Sequence, residues 1–280
     1  MLALLKRNFL LYFRNRSGVF FSLLGALISF ILYIIFLQKN LTDAWNQLPN
    51  SGPLLNNWLM SGTLAVTGIT TSLAALTQLV KDREYQVDQD LYLSNHGKWR
   101  LPFSYLASAI IISFAMQVLM YVLMCSYFRE VPKLYILPEL LLIMMLSSLL
   151  SSLVNAIFVH FFQSVDSLGK FATIVGTASG FLVGTYVPLG VLPDFAQLLM
   201  KCTPATYIAA LYRQVLMKEA VSETFKGRDD LLREFQEKMG VQLKWQALLT
   251  KEQTYLIVLG GILLALGIWV SLAKRSNKRK

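Results

Sequence analysis

The chain has 280 residues, of which 55% are hydrophobic and only 15% are charged. A soluble domain carries charge on about a quarter of its residues, so this composition excludes an ordinary soluble protein and indicates an integral membrane protein. The net charge of +10 does not indicate nucleic-acid binding, because the positive residues lie beside apolar runs, which is typical of residues that orient membrane proteins.

The N-terminal segment, residues 1–16, predicts an amphipathic helix that lies in the membrane interface. Its apolar and aromatic residues fall near one face, and its cations suit anionic lipid headgroups. These cations are Lys6, Arg7, Arg14 and Arg16. A simple basic tail is the alternative, but the spacing of Phe9, Tyr12 and Phe13 favours the helix.

Six apolar runs follow, and each is long enough for a membrane-spanning helix, which needs about 20 residues. They cover about 17–37, 58–80, 103–128, 140–160, 171–190 and 253–273. The distribution of Lys and Arg places both termini in the cytoplasm. We therefore expect an all-α integral membrane protein that forms one domain over residues 1–280. Its parts are an interfacial helix at 1–16, spans one to five at 17–190, a re-entrant and outer segment at 191–252, a sixth span at 253–273 and a basic tail at 274–280.

The loop between the second and third spans carries alternating charges and then three apolar residues. Exposed apolar residues that are rimmed by charge mark interaction sites. We interpret the loop as a short helix that docks onto a cytoplasmic partner, and a solvated hairpin loop is the alternative. The docking candidates are Glu84, Asp88, Leu91, Tyr92 and Leu93.

The fifth run does not continue as a straight helix, because prolines interrupt the chain after it. Proline removes a backbone donor and disfavours helix in the residue before it. The pattern predicts a helix that stops near the outer surface, folds back as a re-entrant element and turns again. The residues of this turn are Pro188, Gly190, Pro193 and Pro204.

The sequence lacks the groups that an energy-converting membrane protein would need. A phosphate-binding loop requires two glycines at fixed spacing before Lys and Ser or Thr, but Gly97-Lys98 and Gly169-Lys170 precede Trp99 and Phe171. The spans contain almost no carboxylates or histidines, which disfavours a metal site, an acid–base enzyme and an ion-coupled carrier. Energy for any transport would come from another polypeptide.

Three parts of the chain resemble the membrane subunit of bacterial ABC exporters of the ABC-2 permease type, a layout similar to the G-subfamily exporters with the type V fold. These parts are the N-terminal helix, the loop region Leu79–Leu106, and the glycine-rich fifth span with the segments Val187–Pro193, Pro204–Tyr207 and Leu211–Arg213. One departure is notable: the family has a glycine soon after the loop glutamate, whereas Glu84 here precedes Tyr85, Gln86 and Val87.

The resemblance implies a six-span half-transporter in the bacterial cytoplasmic membrane. It pairs with a second permease protomer, identical or related, and with nucleotide-binding ABC ATPase subunits that hold ATP and Mg, so that this chain binds no cofactor, metal or nucleic acid. Gly176, Gly180 and Gly184 recur every four residues, which favours close helix packing, either within the protomer or at the dimer axis.

The resemblance also assigns functional residues. Phe181 and Leu182 match an apolar gate towards the outside. The second and fifth spans line the substrate cavity, with the candidates Thr67, Thr70, Thr71 and Tyr186, although hydroxyl groups in a membrane helix often bond only to their own backbone. An uncharged cavity suits the export of an amphipathic or hydrophobic cargo, such as a drug, a membrane-active peptide, a toxin or pigment, or a lipid. A non-transporting scaffold or sensor that pairs with an ATPase is the alternative.

Overall fold

The computed structural model describes residues 1–39, 51–93, 99–131 and 133–279, with backbone only at residues 37, 51, 92, 93 and 276–279. Over these ranges the protein is helical and contains no β-strand. The α-helices are α1 Leu2–Arg14, α2 Arg16–Leu32, α3 Ser51–Glu84, α4 Val87–Leu93, α5 Arg100–Phe128, α6 Leu137–Val159, α7 Val165–Leu182, α8 Asp194–Lys201, α9 Pro204–Leu216, α10 Lys218–Thr224, α11 Asp229–Lys238 and α12 Lys251–Arg279. A π-helical turn, Tyr33–Leu37, extends α2, and a 3₁₀ turn, Leu189–Val191, precedes α8.

Five of the described helices are long and apolar enough to cross a membrane. They cover Arg16–Phe36, Gly52–Glu84, Arg100–Phe128, Leu137–Val159 and Lys251–Arg275. The predicted fifth span corresponds to α7, which is not among them, because it begins with Asp166 and Lys170 in its first turns and ends at Leu182. The all-helical membrane fold is confirmed, and the total of six spans stays a prediction.

The second span, α3, is the centre of the fold. Within its most apolar stretch 83% of the residues are buried, against 28% in α2 and α12. It packs against α2, α5, α6, α7 and α9, so α2 and α12 are left at the periphery, where most of their side chains are available to lipid.

Polar side chains inside the membrane-spanning region bond to one another. The amide of Gln117, which is fully buried, donates to the Ser148 hydroxyl at 2.7 Å and accepts from the Tyr212 hydroxyl at 2.6 Å. The Asn155 amide donates to the Ile69 carbonyl at 2.9 Å. Polar groups shielded from water stabilise a fold when they find such partners, so these contacts hold α3, α5, α6 and α9 together.

Candidate functional site

The N-terminal end of α7 is bonded to Glu84, the last residue of α3. The Ser164 side chain caps α7 by accepting a hydrogen bond from the Ser167 amide at 3.3 Å. The Glu84 carboxylate accepts another from the Val165 amide at 2.8 Å, at the helix end where a negative charge is stabilised by the helix dipole. The predicted docking residue Glu84 therefore has a contact inside the chain, and its docking role stays a prediction.

Arg83 holds the turn between α6 and α7. Its guanidinium donates to the carbonyls of His160 and Phe162 at 3.3 and 2.8 Å, which lie at the carboxyl end of α6, where a cation is favoured. Burial, with a smaller contribution from the nearby Arg83 charge, lowers the pKa of His160, which favours the neutral form of this histidine. The end of α3 thus contacts both helices that flank the turn.

A buried carboxylate next to this joint anchors the N-terminal helix. Asp82, only 3% exposed, accepts two hydrogen bonds from the Arg7 guanidinium at 2.7 and 2.9 Å, one from Gln78 at 2.7 Å and one from the Tyr105 hydroxyl. The hydrogen bond with Asp82 is the main cause that raises the pKa of Arg7. Arg7 was expected to face lipid headgroups, but it instead joins α1 to α3 and α5.

The predicted docking helix is present as α4. Gln86 separates it from α3 with a φ of 60°, a left-handed conformation that favours glycine. Asp88 is buried, and Leu91 is partly buried against the main core. The side chains of Tyr92 and Leu93 lie outside the described residues, and their contact with a partner stays a prediction.

The other end of α7 closes with a glycine in a left-handed conformation. Gly184 has a φ of 70°, and two hydrogen bonds reach back into the helix: the Gly184 amide bonds to the Phe181 carbonyl at 2.9 Å, and the Thr185 amide bonds to the Gly180 carbonyl at 2.8 Å. This pair of bonds defines a Schellman motif. The third glycine of the four-residue repeat therefore ends the helix instead of packing along it.

Helix α11 ends in the same way. Gly240 has a φ of 64°, its amide bonds to the Glu237 carbonyl at 3.2 Å, and the Val241 amide bonds to the Gln236 carbonyl at 2.9 Å. The carboxyl ends of α7 and α11 therefore both carry carbonyl groups without partners inside their own helices.

Arg213 of α9 connects these two helix ends. Its guanidinium donates to the carbonyls of Val183, Gly184 and Gly240 at 3.0, 2.9 and 3.1 Å, and it lies 5.1 Å from the centre of the Trp58 ring of α3. Arg213 is 1% exposed, and no carboxylate in the part of the chain that the structure describes forms an ion pair with it, so the partial negative charges of two helix ends stabilise its charge. Sequence analysis included Arg213 in a segment that resembles the family but gave it no role, although an arginine within the apolar stretch of α9 is an available signal.

The two predicted gate residues stand directly before this joint. Phe181 is 55% exposed, and its ring packs edge-on against Tyr186 with centroids 4.8 Å apart. The Leu182 carbonyl accepts a hydrogen bond from the Thr206 hydroxyl at 2.8 Å. A Cβ atom at Gly180 would lie 2.2 Å from Cζ of Tyr186, so the glycine makes room for that ring. The structure thus brings a predicted gate residue and a predicted cavity residue together.

The predicted cavity threonines differ in position. Thr67 and Thr71 are fully buried, and their hydroxyls bond to carbonyls one turn earlier in α3. Thr70 is half-buried, and its methyl group and the Gly176 carbonyl both lie close to Gly25, where α2, α3 and α7 meet. Of the three threonines, only Thr70 is partly exposed at the protein surface. The assignment of all three to a substrate cavity stays a prediction.

The turn predicted after α7 contains the expected breaks. Pro188 precedes the 3₁₀ turn, Pro193 precedes α8, and Pro204 is the first residue of α9. Gly190 allows close packing on α11, because a Cβ atom there would lie 2.6 Å from the Cα of Lys238. The chain folds back far enough for Thr206 to contact Leu182, and its re-entrant position in a bilayer stays a prediction.

The match to known families covers most of these elements. A family model described as ABC-2 type transporter matches residues 1–217, which includes α1 to α9 and therefore both ends of α7. No curated protein matches the chain.

Proposed function

Since this chain belongs to the ABC-2 type transporter family, we propose that it is the permease of an exporter that moves an amphipathic or hydrophobic cargo out across the cytoplasmic membrane. The family assigns it a transport role and no catalytic one. ATP and Mg would bind to separate ABC ATPase subunits, and two permease protomers would enclose the pathway.

The attachment of α7 at both ends is the observation that supports this proposal most directly. Force applied to α4 by an ATPase would reach the adjoining end of α3, and from there the start of α7 through Glu84 and the α6–α7 turn through Arg83. The far end of α7 carries the proposed gate, Phe181 and Leu182. A helix is stiff along its axis, because its backbone hydrogen bonds run in that direction, so a push at Val165 would be transmitted to these residues.

The exposed face of α7 supports the type of cargo. Thr173, Thr177 and Phe181 recur every four residues and are all exposed, and the two threonine hydroxyls bond to carbonyls of their own helix. A face without charge or available donors is suited to apolar cargo, because hydrophobic burial is not directional. We propose that this face, with Thr70 and Tyr186, borders the cavity, while Thr67 and Thr71 lie behind it.

The test is transport in proteoliposomes that contain the permease and its ATPase. Leu91→Asp is expected to uncouple ATP hydrolysis from cargo movement, and Gln89→Asp, which adds the same charge at an exposed position of the same helix, is expected to retain coupling. Because Leu91 packs on the core, thermal unfolding of the purified variant checks its fold, and Asp90→Arg at an exposed position provides a second docking variant.

A cellular experiment tests the same proposal independently. Cargo should stop leaving cells when the ATPase subunit carries a disabled nucleotide site. Export at the normal rate in those cells would contradict the proposal, and ATP hydrolysis without any cargo movement would favour the scaffold or sensor role.

A further inference from the structure

An apolar groove lies between α6 and α7, with α3 forming its floor. Its volume is about 370 Å³, within the range of small-molecule sites. The groove belongs to one protomer and lies beside the exposed threonine face of α7, which we assign to the cargo pathway.

The groove is long and narrow. Its wall on α7 extends from Phe171 to Leu182, which is about 16 Å at 1.5 Å per residue. The rings of Phe158 and Phe171, with centroids 5.4 Å apart, close one end, and Pro204 contributes to the other. This shape fits a linear chain better than a compact ring system.

The lining is mostly apolar, and its polar side chains are Ser151, Asn155, Ser179, Cys202 and Thr203. None of the described residues that line the groove is charged. The Asn155 amide is bonded to the Ile69 carbonyl and the Ser72 hydroxyl, and the Ser179 hydroxyl is bonded to the Gly176 carbonyl at 3.0 Å. A sugar or a peptide backbone would lose most of its hydrogen bonds with water here without replacement, whereas an alkyl chain that enters from the bilayer has none to lose and gains van der Waals packing against the walls.

The groove opens on the outer surface of the helix bundle. Ile174, a wall residue, is 64% exposed, and the opposite wall belongs to the membrane span Leu137–Val159. An opening at this depth faces the hydrocarbon core of the bilayer, where acyl chains are the abundant solvent. We propose that the groove binds one acyl chain of a membrane phospholipid, which packs against Leu182 and so against the segment that carries the proposed gate.

The first test uses a nitroxide-labelled phosphatidylcholine and the full chain in nanodiscs, measured by electron paramagnetic resonance. The wild type should show an immobilised lipid component. Ala178→Phe, which fills the groove, should lose that component, whereas Leu263→Phe on α12, where Leu263 is 69% exposed, should retain it. Equal immobilised fractions in both variants would overturn the proposal.

A second measurement does not depend on how well Ala178→Phe folds. Native mass spectrometry of the wild-type chain, released from detergent, should show one phospholipid retained per protomer, and complete loss of lipid under these conditions would overturn the proposal.

Oxidation of Ala178→Cys in a Cys202→Ser background tests whether a second copy of the chain covers the groove. Disulfide-linked dimers would overturn lipid binding, and a monomeric cysteine that reacts with an apolar maleimide would support it. Because this inference depends only on the membrane-embedded fold, its failure would leave the export proposal intact.

Discussion

The two ends of α7 are fixed by different chemistry. At Val165 the contacts come from side chains near the surface, since Glu84 is exposed and Arg83 is half-buried. At Leu182 the contacts come from a buried arginine and from backbone carbonyls. Single contacts at exposed positions are worth little and exchange readily with water, whereas a buried charge is costly to separate from its partners. The comparison indicates that the Val165 end of α7 is held less firmly than the Leu182 end.

The largest effect is expected at Arg213. Replacing it with Met leaves three backbone carbonyls buried without donors, each costing about 1–3 kcal/mol, so stability should fall by roughly 3 kcal/mol or more. Thermal unfolding in detergent measures this loss. Arg213→Lys should recover part of it through the retained charge, and Arg233→Met, at an exposed position of α11, should change little. Equal losses of stability in the Arg213 and Arg233 variants would contradict the firm attachment of the Leu182 end.

A smaller effect is expected at Asp82. Asp82→Asn removes the ion pair with Arg7, whose side chain is 29% exposed, so solvent screening limits the loss to about 1–3 kcal/mol. Because α1 is held by this contact, limited proteolysis should cleave the N-terminal helix faster. Asp166→Asn, which breaks a pair exposed on both sides, serves as the control. Unchanged cleavage in Asp82→Asn would mean that α1 is anchored mainly by its apolar residues.

The exposed contact of Glu84 should contribute less. Glu84→Gln keeps the shape of the side chain but removes the charge at the start of α7, which is worth about 0.3–1 kcal/mol. This difference should shrink with added salt, whereas the Arg213→Met loss should not. Glu223→Gln, at another exposed position, controls for net charge. A salt-independent Glu84 effect would contradict the contrast between the two ends.

The smallest effect, of opposite sign, is expected at Gln86. Gln86→Gly relieves a left-handed backbone strain of about 1–2 kcal/mol, which the greater freedom of glycine in the unfolded chain partly offsets, leaving a gain of about 0.5 kcal/mol. Gln89→Gly within α4 should instead destabilise, because glycine is a poor helix former. The unfolding temperatures of the two variants should therefore shift in opposite directions. A lower unfolding temperature for Gln86→Gly would show that the backbone at Gln86 is not strained.

Local patterns predicted much of the fold. Apolar runs indicated the spans, the prolines at 188, 193 and 204 indicated the breaks after α7, and the alternation of charge with apolar residues indicated α4. The start of α7 was placed at 171 instead of Val165, because apolar composition was weighed above the capping pattern of Ser164 and Asp166, which was available in the sequence.

The joints could not be predicted, because their partners are distant in sequence. Arg7 and Asp82 are separated by 75 residues, and Arg213 reaches carbonyls 27 to 30 residues away. Every residue has a backbone carbonyl group, so the amino-acid sequence around Val183 does not indicate that an arginine binds there. Gly184 was ambiguous for a related reason, since a glycine every fourth residue fits both a packing face and a helix end.

The burial of α3 has a consequence for how the protein is made. This central span is the least apolar of the five candidate spans and is rich in hydroxyl groups. During synthesis it leaves the ribosome before α5, α6 and α9, which later bury it. Translocon machinery partitions each segment by its own apolarity, so α3 should insert weakly at first and become secure only when the helices carrying Gln117 and Asn155 follow. Because α3 lies at the centre of the fold, its stable insertion depends on helices that are synthesised after it.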